Sequence, residues 1–468
     1  MSYKQIQIDN EKFRFDDEFF LKKYLQAYAI IKGRPHKQIK EILEVLTDFS
    51  ANGSYASIAE NFTLLDEPDF AYMVRSTDFE KLDFENDVKY IDKHAYEFLS
   101  KSKIFGGEIL INKIGSPGRV YLMPKLNKPV SLGMNLFMLR IDKKSGFNEK
   151  FLWAFFNTEL GQNIIQRKVN GTVPLTIDKE AIRSLYVPIF TPDIQNAVAD
   201  LVDNSEQKLK EAKLKYSNQE KEILNIVGLS NWKPTEETKS IKRFSQSFAL
   251  SGRLDAEYYR PKFDEVVQVI RNENHKTLGS IASFKKSIEP GSDAYQTEGI
   301  PFIRVSDISK FGLSEPEIHL DPKIYNDETL KPKKDTILLS KDGSVGIAYK
   351  VEQDLDVITS SALLHLTITD KEVLPDYLTL VLNSKLTQMQ AERDTGGSII
   401  QHWRPDEIKQ VLIPILPMDT QKELANQIQQ SFKLRQESSK LIDIAKQAVE
   451  IAIEQDEHTA MKFIKDNT

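Results

Sequence analysis

The sequence predicts an α+β protein made of two similar mixed domains, each followed by one long helix. Two observations support this prediction. Residues 195–226 and 421–453 each carry a narrow apolar stripe on an otherwise polar segment, which is typical of coiled-coil helices. Gln195 and Gln421 are also 226 positions apart, and the sequence before each is similar at nearly the same offset. A duplicated domain pair therefore organises the chain.

The stripes follow the alternating three- and four-residue steps that place side chains on one face of a helix. Ser205 and Gln219 interrupt the first stripe. The first stripe consists of Ile194, Val198, Leu201, Leu209, Ala212, Tyr216, Ile223 and Ile226, and the second of Leu424, Ile428, Phe432, Ile442, Ala445, Val449 and Ala452.

The repeat extends through both domains in one order. Asn157-Thr158 corresponds to Asn383-Ser384 at an offset of 226, and Arg75-Ser76-Thr77-Asp78 corresponds to Arg304-Val305-Ser306-Asp307 at 229. At an offset of 239, residues 14–20 match residues 253–259, where Asp16 and Asp255 are expected to act as local caps. With the matches at residues 115–118, 170–172 and 187–188, six matches in the same order indicate one ancestral unit used twice, with insertions in its loops.

Local patterns predict the elements inside each domain. Residues 108–113 and 120–122 alternate around a glycine turn and predict a hairpin, and residues 136–141 predict another strand. Residues 151–169 and 377–393 each predict one helix, ended by a glycine-bearing loop. The polar residues 457–468 predict a frayed tail.

Composition narrows the class of protein. The 468 residues allow two to four domains, and a hydrophobic content of 40% is that of a soluble globular protein. The absence of cysteine excludes disulfides and thiolate metal sites. No segment approaches the ~20 apolar residues of a membrane span, which predicts a cytoplasmic protein.

Charge is unevenly distributed along the chain. The net charge of −6 argues mildly against a nucleic-acid binder, yet six basic residues and one acidic residue lie between Lys101 and Lys128. Residues 60–97 hold eleven acidic and four basic residues. This asymmetry fits a protein with one face for phosphate, and it equally fits a solvated surface.

Familiar enzyme motifs are missing. The chain has no phosphate-binding loop, dinucleotide fingerprint, Gly-x-Ser-x-Gly elbow or His-x-x-x-His pair. No short motif carries chemistry on its own.

The glycine turns that recur in both halves are better candidates for a binding site. Residues 115–118 and 343–346 would let backbone N–H groups approach a phosphate. An ordinary hairpin with surface lysines is the alternative. The flanking candidates are Lys113, Ser116, Arg119, Lys341 and Ser344, with Lys350 beyond the second turn.

Two further pairs of segments recur. The loops at 170–172 and 395–404 hold polar side chains able to hydrogen-bond base edges, or else a helix cap and a core tryptophan. Arg75 and Arg304 end strands, either to contact DNA or to pair with a buried aspartate. The candidates here are Arg75, Thr77, Asn170, Thr172, Arg304, Ser306, Ser398, Gln401, His402 and Arg404.

Taken together, the sequence resembles the specificity subunit of type I restriction–modification systems. The resemblance is carried by residues 253–259 (Arg-Leu-Asp-Ala-Glu-Tyr-Tyr), 300–307 (Ile-Pro-Phe-Ile-Arg-Val-Ser-Asp) and 413–417 (Ile-Pro-Ile-Leu-Pro) before Gln421. Weaker copies lie in the first half, so nearly the whole chain is covered. Residues 191–195 and 418–421 lack the glutamate that often precedes the glutamine in this family.

The resemblance implies two tandem target-recognition domains, separated by two long antiparallel coiled-coil helices in a pseudo-twofold repeat. The implied boundaries are 1–192 for the first recognition domain, 193–228 for the central long helix, 229–417 for the second recognition domain, 418–456 for the distal long helix and 457–468 for a polar tail. Each recognition domain would recognise one half of a split double-stranded DNA sequence.

The resemblance also implies a non-catalytic subunit with a role in DNA methylation and phage defence. Its partners would be methyltransferase (modification) subunits, two in number, and restriction or translocase subunits. S-adenosylmethionine, ATP and Mg would belong to those partners, and no cofactor to this chain. Three alternatives stay open: a coiled-coil scaffold without nucleic acid, a subunit of a methyltransferase-only or other restriction-like defence system, and an enzyme with an unrecognised site.

Overall fold

The computed structural model describes residues 17–81, 83–85, 88–171, 174–395 and 401–468. The chain forms two compact units, the first containing residues up to Gln207 together with Glu437–Thr468, and the second containing Lys208–Gln436. Each long helix, Pro192–Ile226 and Met418–Glu454, contributes one part to each unit. The predicted α+β class with a repeated mixed domain is confirmed.

The first unit contains two four-stranded sheets. In one, Leu43–Asp48, Leu136–Ile141, Ile109–Asn112 and Val120–Leu122 are antiparallel neighbours in that order, which confirms the predicted hairpin. The other has the order Lys89–Ile91, Ala71–Val74, Val130–Leu132 and Lys103–Ile104, with its two middle strands parallel. His36–Gln38 pairs with Tyr186–Pro188. The helices are Lys22–Lys32, Tyr55–Asn61, Ser76–Glu80, Lys93–Phe98, Glu149–Phe156, Glu159–Gln166, Lys179–Arg183 and Glu457–Asn467, with 3-10 turns at Asp17–Phe20, Ile39–Glu41, Phe49–Asn52 and Ser100–Ser102.

The second unit repeats this plan. Its four-stranded sheet has the order Ala282–Lys286, Leu363–Ile368, Ile337–Ser340 and Ala348–Lys350. The order His319–Leu320, Ile300–Ile303 and Ile358–Thr359 gives a second sheet. His275–Thr277 pairs with Leu412–Pro414, and Ile308–Ser309 with Gly312–Leu313. The helices are Phe248–Ser251, Pro261–Asn272, Leu278–Ile281, Pro322–Tyr325, Pro375–Asn383, Lys385–Asp394 and Pro405–Lys409, with 3-10 turns at Phe244–Gln246, Ala256–Tyr259, Ser292–Ala294, Val305–Asp307 and Glu328–Leu330.

Both predicted mid-domain helices are broken in two, so the prediction of single helices at 151–169 and 377–393 is wrong. The first break lies at Thr158, whose hydroxyl donates to the Phe155 carbonyl and accepts from the Gly161 amide. The second lies at Ser384, whose hydroxyl donates to the Val381 carbonyl. Hydroxyl side chains end one helix and begin the next by replacing its missing hydrogen bonds.

The apolar stripes of the long helices are buried within each unit. Ile194, Val198 and Leu201 lie in the core of the first unit, and Ala212 and Tyr216 are buried in the second, whereas Ile226 is exposed. Ser205 interrupts the stripe yet is buried, because it exchanges hydrogen bonds with Ser438. Lys215 reaches Gln427 and Gln430 while Ala212 accepts from Ser431, so the helices run antiparallel there.

The structure changes two further predictions, the frayed tail and the capping roles of Asp16 and Asp255. The predicted frayed tail is wrong, because Glu457–Asn467 is a helix capped by Asp456 with Ala460 buried. Asp16 lies outside the described residues. Asp255 makes no side-chain cap to its turn and instead pairs with Arg253, which holds the pKa of the Asp255 carboxyl below its usual range.

Candidate nucleic-acid interface

Three backbone segments lie side by side at one edge of the first unit. The Lys113 amide donates to the Asn135 carbonyl at 2.8 Å, and the Ile177 amide donates to the Lys113 carbonyl at 3.2 Å. Ile114 and Thr176 form an additional antiparallel bridge. The glycine turn therefore lies between the connector at 133–135 and the loop that follows the second mid-domain helix.

The second unit makes the same arrangement with equivalent residues. The Lys341 amide donates to the Ala362 carbonyl at 2.9 Å, and the Trp403 amide donates to the Lys341 carbonyl at 2.8 Å. Asp342 and His402 form the bridge. We call residues 75–80, 113–119, 133–135, 170–171 and 174–177 the first loop edge, and residues 304–307, 341–346, 360–362 and 401–404 the second loop edge.

The arginine-bearing strand ends join the same edges. Val74 pairs with Leu132, directly before the connector that reaches Lys113. Arg119 lies 3.2 Å from the Glu80 carboxylate, which ties the helix Ser76–Glu80 to the glycine turn. In the second unit the Ser360 amide donates to the Ile303 carbonyl at 2.8 Å. Three sets of candidates that are distant in sequence thus meet in each unit.

The glycine turns are held by the helix behind them. Gly118 and Gly346 have φ values of 88° and 86°, a region that side-chain-bearing residues rarely adopt. Gln162 donates to the Gly118 carbonyl and to Phe156, and Gln388 donates to the Gly346 carbonyl and to Leu382. The turns are therefore rigidly placed, with Ser344 and Arg119 exposed and Ser116 partly exposed.

A buried aspartate organises the charges of the first loop edge. Lys113 and Lys179 lie 3.0 and 2.6 Å from opposite oxygens of Asp48, which is buried. Burial alone would raise the pKa of Asp48, but hydrogen bonds from Lys179, Lys113 and Ser50 outweigh it and lower that pKa. Because two lysines share one carboxylate, this cluster carries a net positive charge beside the turn.

The second loop edge distributes its charge differently. Lys341 is mostly buried and pairs with Asp342, which also contacts the His402 ring at 2.9 Å. Lys350 is buried among Asp376 and Glu352. Among the described residues of this edge, the exposed cations are instead Arg404 and Arg304, whose side chains are 71% and 40% exposed.

The two strand-end arginines pair with nearby aspartates. Arg75 lies 2.9 Å from Asp78, which is buried and also accepts from Tyr72. Arg304 lies 3.9 Å from Asp307. The Arg–Asp pair expected as the alternative is therefore present, while both arginines keep part of their surface and Thr77 and Ser306 are exposed.

The post-helix loops contain both a structural and an exposed part. Trp403 is buried in the core, as the alternative interpretation of this loop expected, whereas Gln401 and His402 are exposed. Asn170 is exposed and pairs with Thr176. Thr172 and Ser398 lie outside the described residues.

Several residues with structural roles were missed by the sequence prediction. Asp48 and Lys179 come from distant segments, and no local pattern announces them. Arg167 stacks on Phe19 at 4.3 Å, and Arg393 stacks on Tyr258 at 5.2 Å. The repeat offset could have found this pair, because Arg393 is 226 positions after Arg167.

Other kinds of site are scarce among the described residues. Among them no group of three or more His, Asp or Glu side chains could hold a metal ion. Within the same part of the chain, no helix is long and apolar enough to cross a membrane.

A family model and a known protein are similar to this chain. Residues 272–444 match the family model described as the type I restriction modification DNA specificity domain. A putative type I restriction enzyme MjaX specificity subunit from Methanocaldococcus jannaschii is 21% identical over 428 residues, which are 88% of this chain and 91% of that protein.

Two solved structures are also similar to this chain. The S subunit of a type I restriction–modification system from M. genitalium is 13% identical, with a TM-score of 0.36, over 92% of this chain and 95% of that one. The HsdS subunit from Thermoanaerobacter tengcongensis is 14% identical, with a TM-score of 0.27, over 90% and 96%.

The duplicated domains and the matched family model define a DNA sequence-recognition protein without catalytic activity of its own. Catalysis in such systems lies on other subunits. Residues 272–444 carry the type I DNA specificity domain, and the resemblance of the chain to type I specificity subunits is confirmed.

Proposed function

We propose that each unit recognises one half of a split DNA target through its loop edge. The observation that carries this proposal is that the same three segments converge in both units, held by equivalent backbone hydrogen bonds at Lys113 and Lys341. Loops placed by a rigid scaffold are the usual location of binding residues. Residues 1–192 and 229–417 would be the two recognition domains.

The exposed groups on each edge suit a division between phosphate and base contacts. Lys113, Arg119 and Ser116 would hold backbone phosphates on the first edge, beside Asn170. On the second edge Arg404 and Ser344 would contact phosphates, and Gln401 a base edge. Arg75, Thr77, Arg304, Ser306, Lys341 and His402 would complete the contacts or position them, and Thr172 and Ser398 are proposed from the sequence alone.

The assembly in which this chain would act follows from its family. A specificity subunit needs methyltransferase subunits, and we propose two of them because the chain contains two equivalent units. Restriction or translocase subunits would join that complex in the cytoplasm. S-adenosylmethionine, ATP and Mg would be bound by those partners, and methylation would require a base flipped into a partner's pocket.

Gln401→Ala tests the assignment of the second loop edge. Glutamine can form two hydrogen bonds to adenine, so its loss should reduce specific binding by about 1–3 kcal/mol and relax sequence preference at one position. Preferred sites would be selected from random DNA with the full chain and with the variant. Gln268→Ala is the matched control, because Gln268 is an exposed glutamine on the helix Pro261–Asn272 of the same unit.

We expect the change to be confined to one half of the target. A variant that binds and selects sites as the full chain does would remove Gln401 from the interface. A chain whose binding to all DNA is weak and insensitive to salt would instead favour the scaffold alternative, since phosphate contacts produce a steep loss of affinity with salt.

A further inference from the structure

Two apolar side chains project from the first loop edge into solvent. Met134 is 53% exposed and Leu175 is 39% exposed. Met134 precedes Asn135, whose carbonyl accepts from Lys113, and Leu175 precedes Thr176, which bridges to Ile114. The two residues therefore lie on backbone segments that flank the glycine turn on either side.

The equivalent positions of the second loop edge are polar. Leu132 and Asn135 correspond to Thr359 and Ala362 through their backbone pairing, so Gly133 and Met134 correspond to Ser360 and Ser361. By the same argument, Leu175 corresponds to Gln401. Ser361 donates to the Glu289 carboxylate at 3.1 Å, and Gln401 is exposed. The repeat thus holds an apolar pair on one edge and a hydrogen-bonding pair on the other.

The surroundings of the apolar pair indicate what it contacts. Lys113, which hydrogen-bonds Asn135 next to Met134, shares Asp48 with Lys179, and Arg119 lies exposed at the end of the same turn in an ion pair with Glu80. Cations suited to phosphate therefore lie on the segment between the two apolar residues. An apolar protein surface here would contact the duplex within the groove. The apolar group that bases present in the major groove is the C5-methyl of thymine.

We propose that Met134 and Leu175 contact thymine C5-methyl groups in the half-site recognised by the first unit. This inference rests on the proposed function and adds the chemistry by which that half-site is distinguished. The first half-site contains at least one A·T pair recognised through its methyl group, whereas the second is recognised through hydrogen bonds from polar side chains such as Gln401.

Uracil substitution tests the proposal without changing the protein. Once the preferred target has been selected from random DNA, each thymine is replaced by uracil, which removes the methyl group and keeps the pairing. Loss of one buried methyl group should weaken binding of the full chain about four-fold. The effect is expected in the half-site that Gln401→Ala leaves unchanged.

The variants Met134→Ala and Leu175→Ala then link the effect to these side chains. Each should bind the thymine target several-fold more weakly, and at least one should show no further loss with uracil. Leu64→Ala and Met461→Ala are matched controls, because those side chains are 37% and 38% exposed elsewhere in the same unit. They should keep the full sensitivity to uracil.

The outcomes separate this inference from the proposed function. A first half-site without thymine, or one in which uracil costs nothing, overturns the methyl contact while specific binding stands. Variants that remain as sensitive to uracil as the unaltered chain overturn it as well. Absence of any sequence-specific binding by the unaltered chain would instead overturn the proposed function.

Discussion

In the first unit Gln195 donates to the carbonyls of Gly146 and Phe190, and in the second unit Gln421 donates to those of Glu372 and Leu416. The amides of Asn148 and Leu374 return the hydrogen bond in each case. These six partners keep one common offset of 226 positions. The loop edges, by contrast, hold different side chains at equivalent positions.

The difference follows from the cost of changing a buried polar group. Replacing one partner of a buried hydrogen bond leaves the other unsatisfied, at about 1–3 kcal/mol. Asn157 and Asn383 show the same constraint, because each donates to the neighbouring strand at Val120 or Ala348. An exposed residue can change without leaving a buried partner unsatisfied. The duplicated domains can therefore differ at their loop edges while the buried hydrogen bonds that position those edges stay the same.

The largest expected difference between the units is in the stability lost when Gly133 or its equivalent, Ser360, is replaced by alanine. A Cβ at Gly133 would lie 2.3 Å from the Val74 carbonyl oxygen, which belongs to the backbone of a paired strand. Gly133→Ala should therefore destabilise the first unit by more than about 3 kcal/mol, at the upper end of overpacking effects. Urea unfolding followed by tryptophan fluorescence would measure it as the transition that a Trp153→Phe background removes.

Ser360→Ala is the matched substitution in the second unit. The Ser360 hydroxyl is buried without a hydrogen-bond partner among the described residues, so its removal should change stability by less than about 1 kcal/mol. Equal losses in the two variants would mean that the connectors are not equivalent, and the comparison of the edges would fail.

Much of this architecture was predictable, because the repeat and the apolar stripes are properties of the sequence itself. The helix breaks at Thr158 and Ser384 were not, since a threonine or serine within an apolar helix pattern looks the same whether its hydroxyl faces solvent or caps a new turn. The matched pair Asn157-Thr158 and Asn383-Ser384 was visible, but its role depends on hydrogen bonds to neighbouring strands.

The candidate site was predictable in its parts but not in its assembly. The glycine turn, the arginine-bearing strand end and the post-helix loop each recur in the sequence. Only the fold shows that Lys113 bonds the post-helix loop and the connector, which follows the partner strand of Val74. Asp48 and Lys179 depend on packing between distant segments. Met134 and Leu175 carry no polar signal, and apolar residues are by default assigned to the core.

The second contrast concerns pH, because His365 of the second unit occupies the strand position that Met138 holds in the first. Burial, assisted by the charge of Lys285, lowers the pKa of His365 to about 4 from 6.5. The unfolded chain therefore takes up a proton first as the pH falls. His365 leaves the free energy of unfolding unchanged above pH 6.5 and should lower it by about 2–3 kcal/mol between pH 6.5 and 4.

The first unit's own residues provide the control for this prediction. Thr359, which hydrogen-bonds His365 at 2.8 Å, corresponds to Leu132. A Thr359→Leu/His365→Met variant should lose the pH-dependent part of this decrease, measured by urea unfolding in a Trp153→Phe background that reports the second unit. His458→Gln, at an exposed histidine, should leave the decrease in place. If the free energy of unfolding of the double variant fell with pH as steeply as that of the unaltered chain, His365 would not be the group responsible.

The smallest contrast is at the start of the short helix that follows each post-helix loop. In the first unit Asp178 caps this helix by accepting from the Ala181 amide at 2.6 Å, and in the second unit Arg404 occupies that position beside Glu407. We expect Arg404→Ala to weaken DNA binding by about 1 kcal/mol and to reduce the salt dependence by about one phosphate contact. Its exposed ion pair is screened by solvent, so stability should change by less than about 0.5 kcal/mol.

Lys409→Ala separates a direct contact from a general effect of charge. Lys409 is on the same five-residue helix, Pro405–Lys409, and pairs with Asp406 at 3.2 Å, but it lies at the opposite end beside Gly279. If Arg404 holds a phosphate, Arg404→Ala should reduce the dependence of the binding constant on salt concentration, and Lys409→Ala should not. Equal changes in both variants would indicate that the edge attracts DNA only through its overall charge, since one positive charge is removed in each.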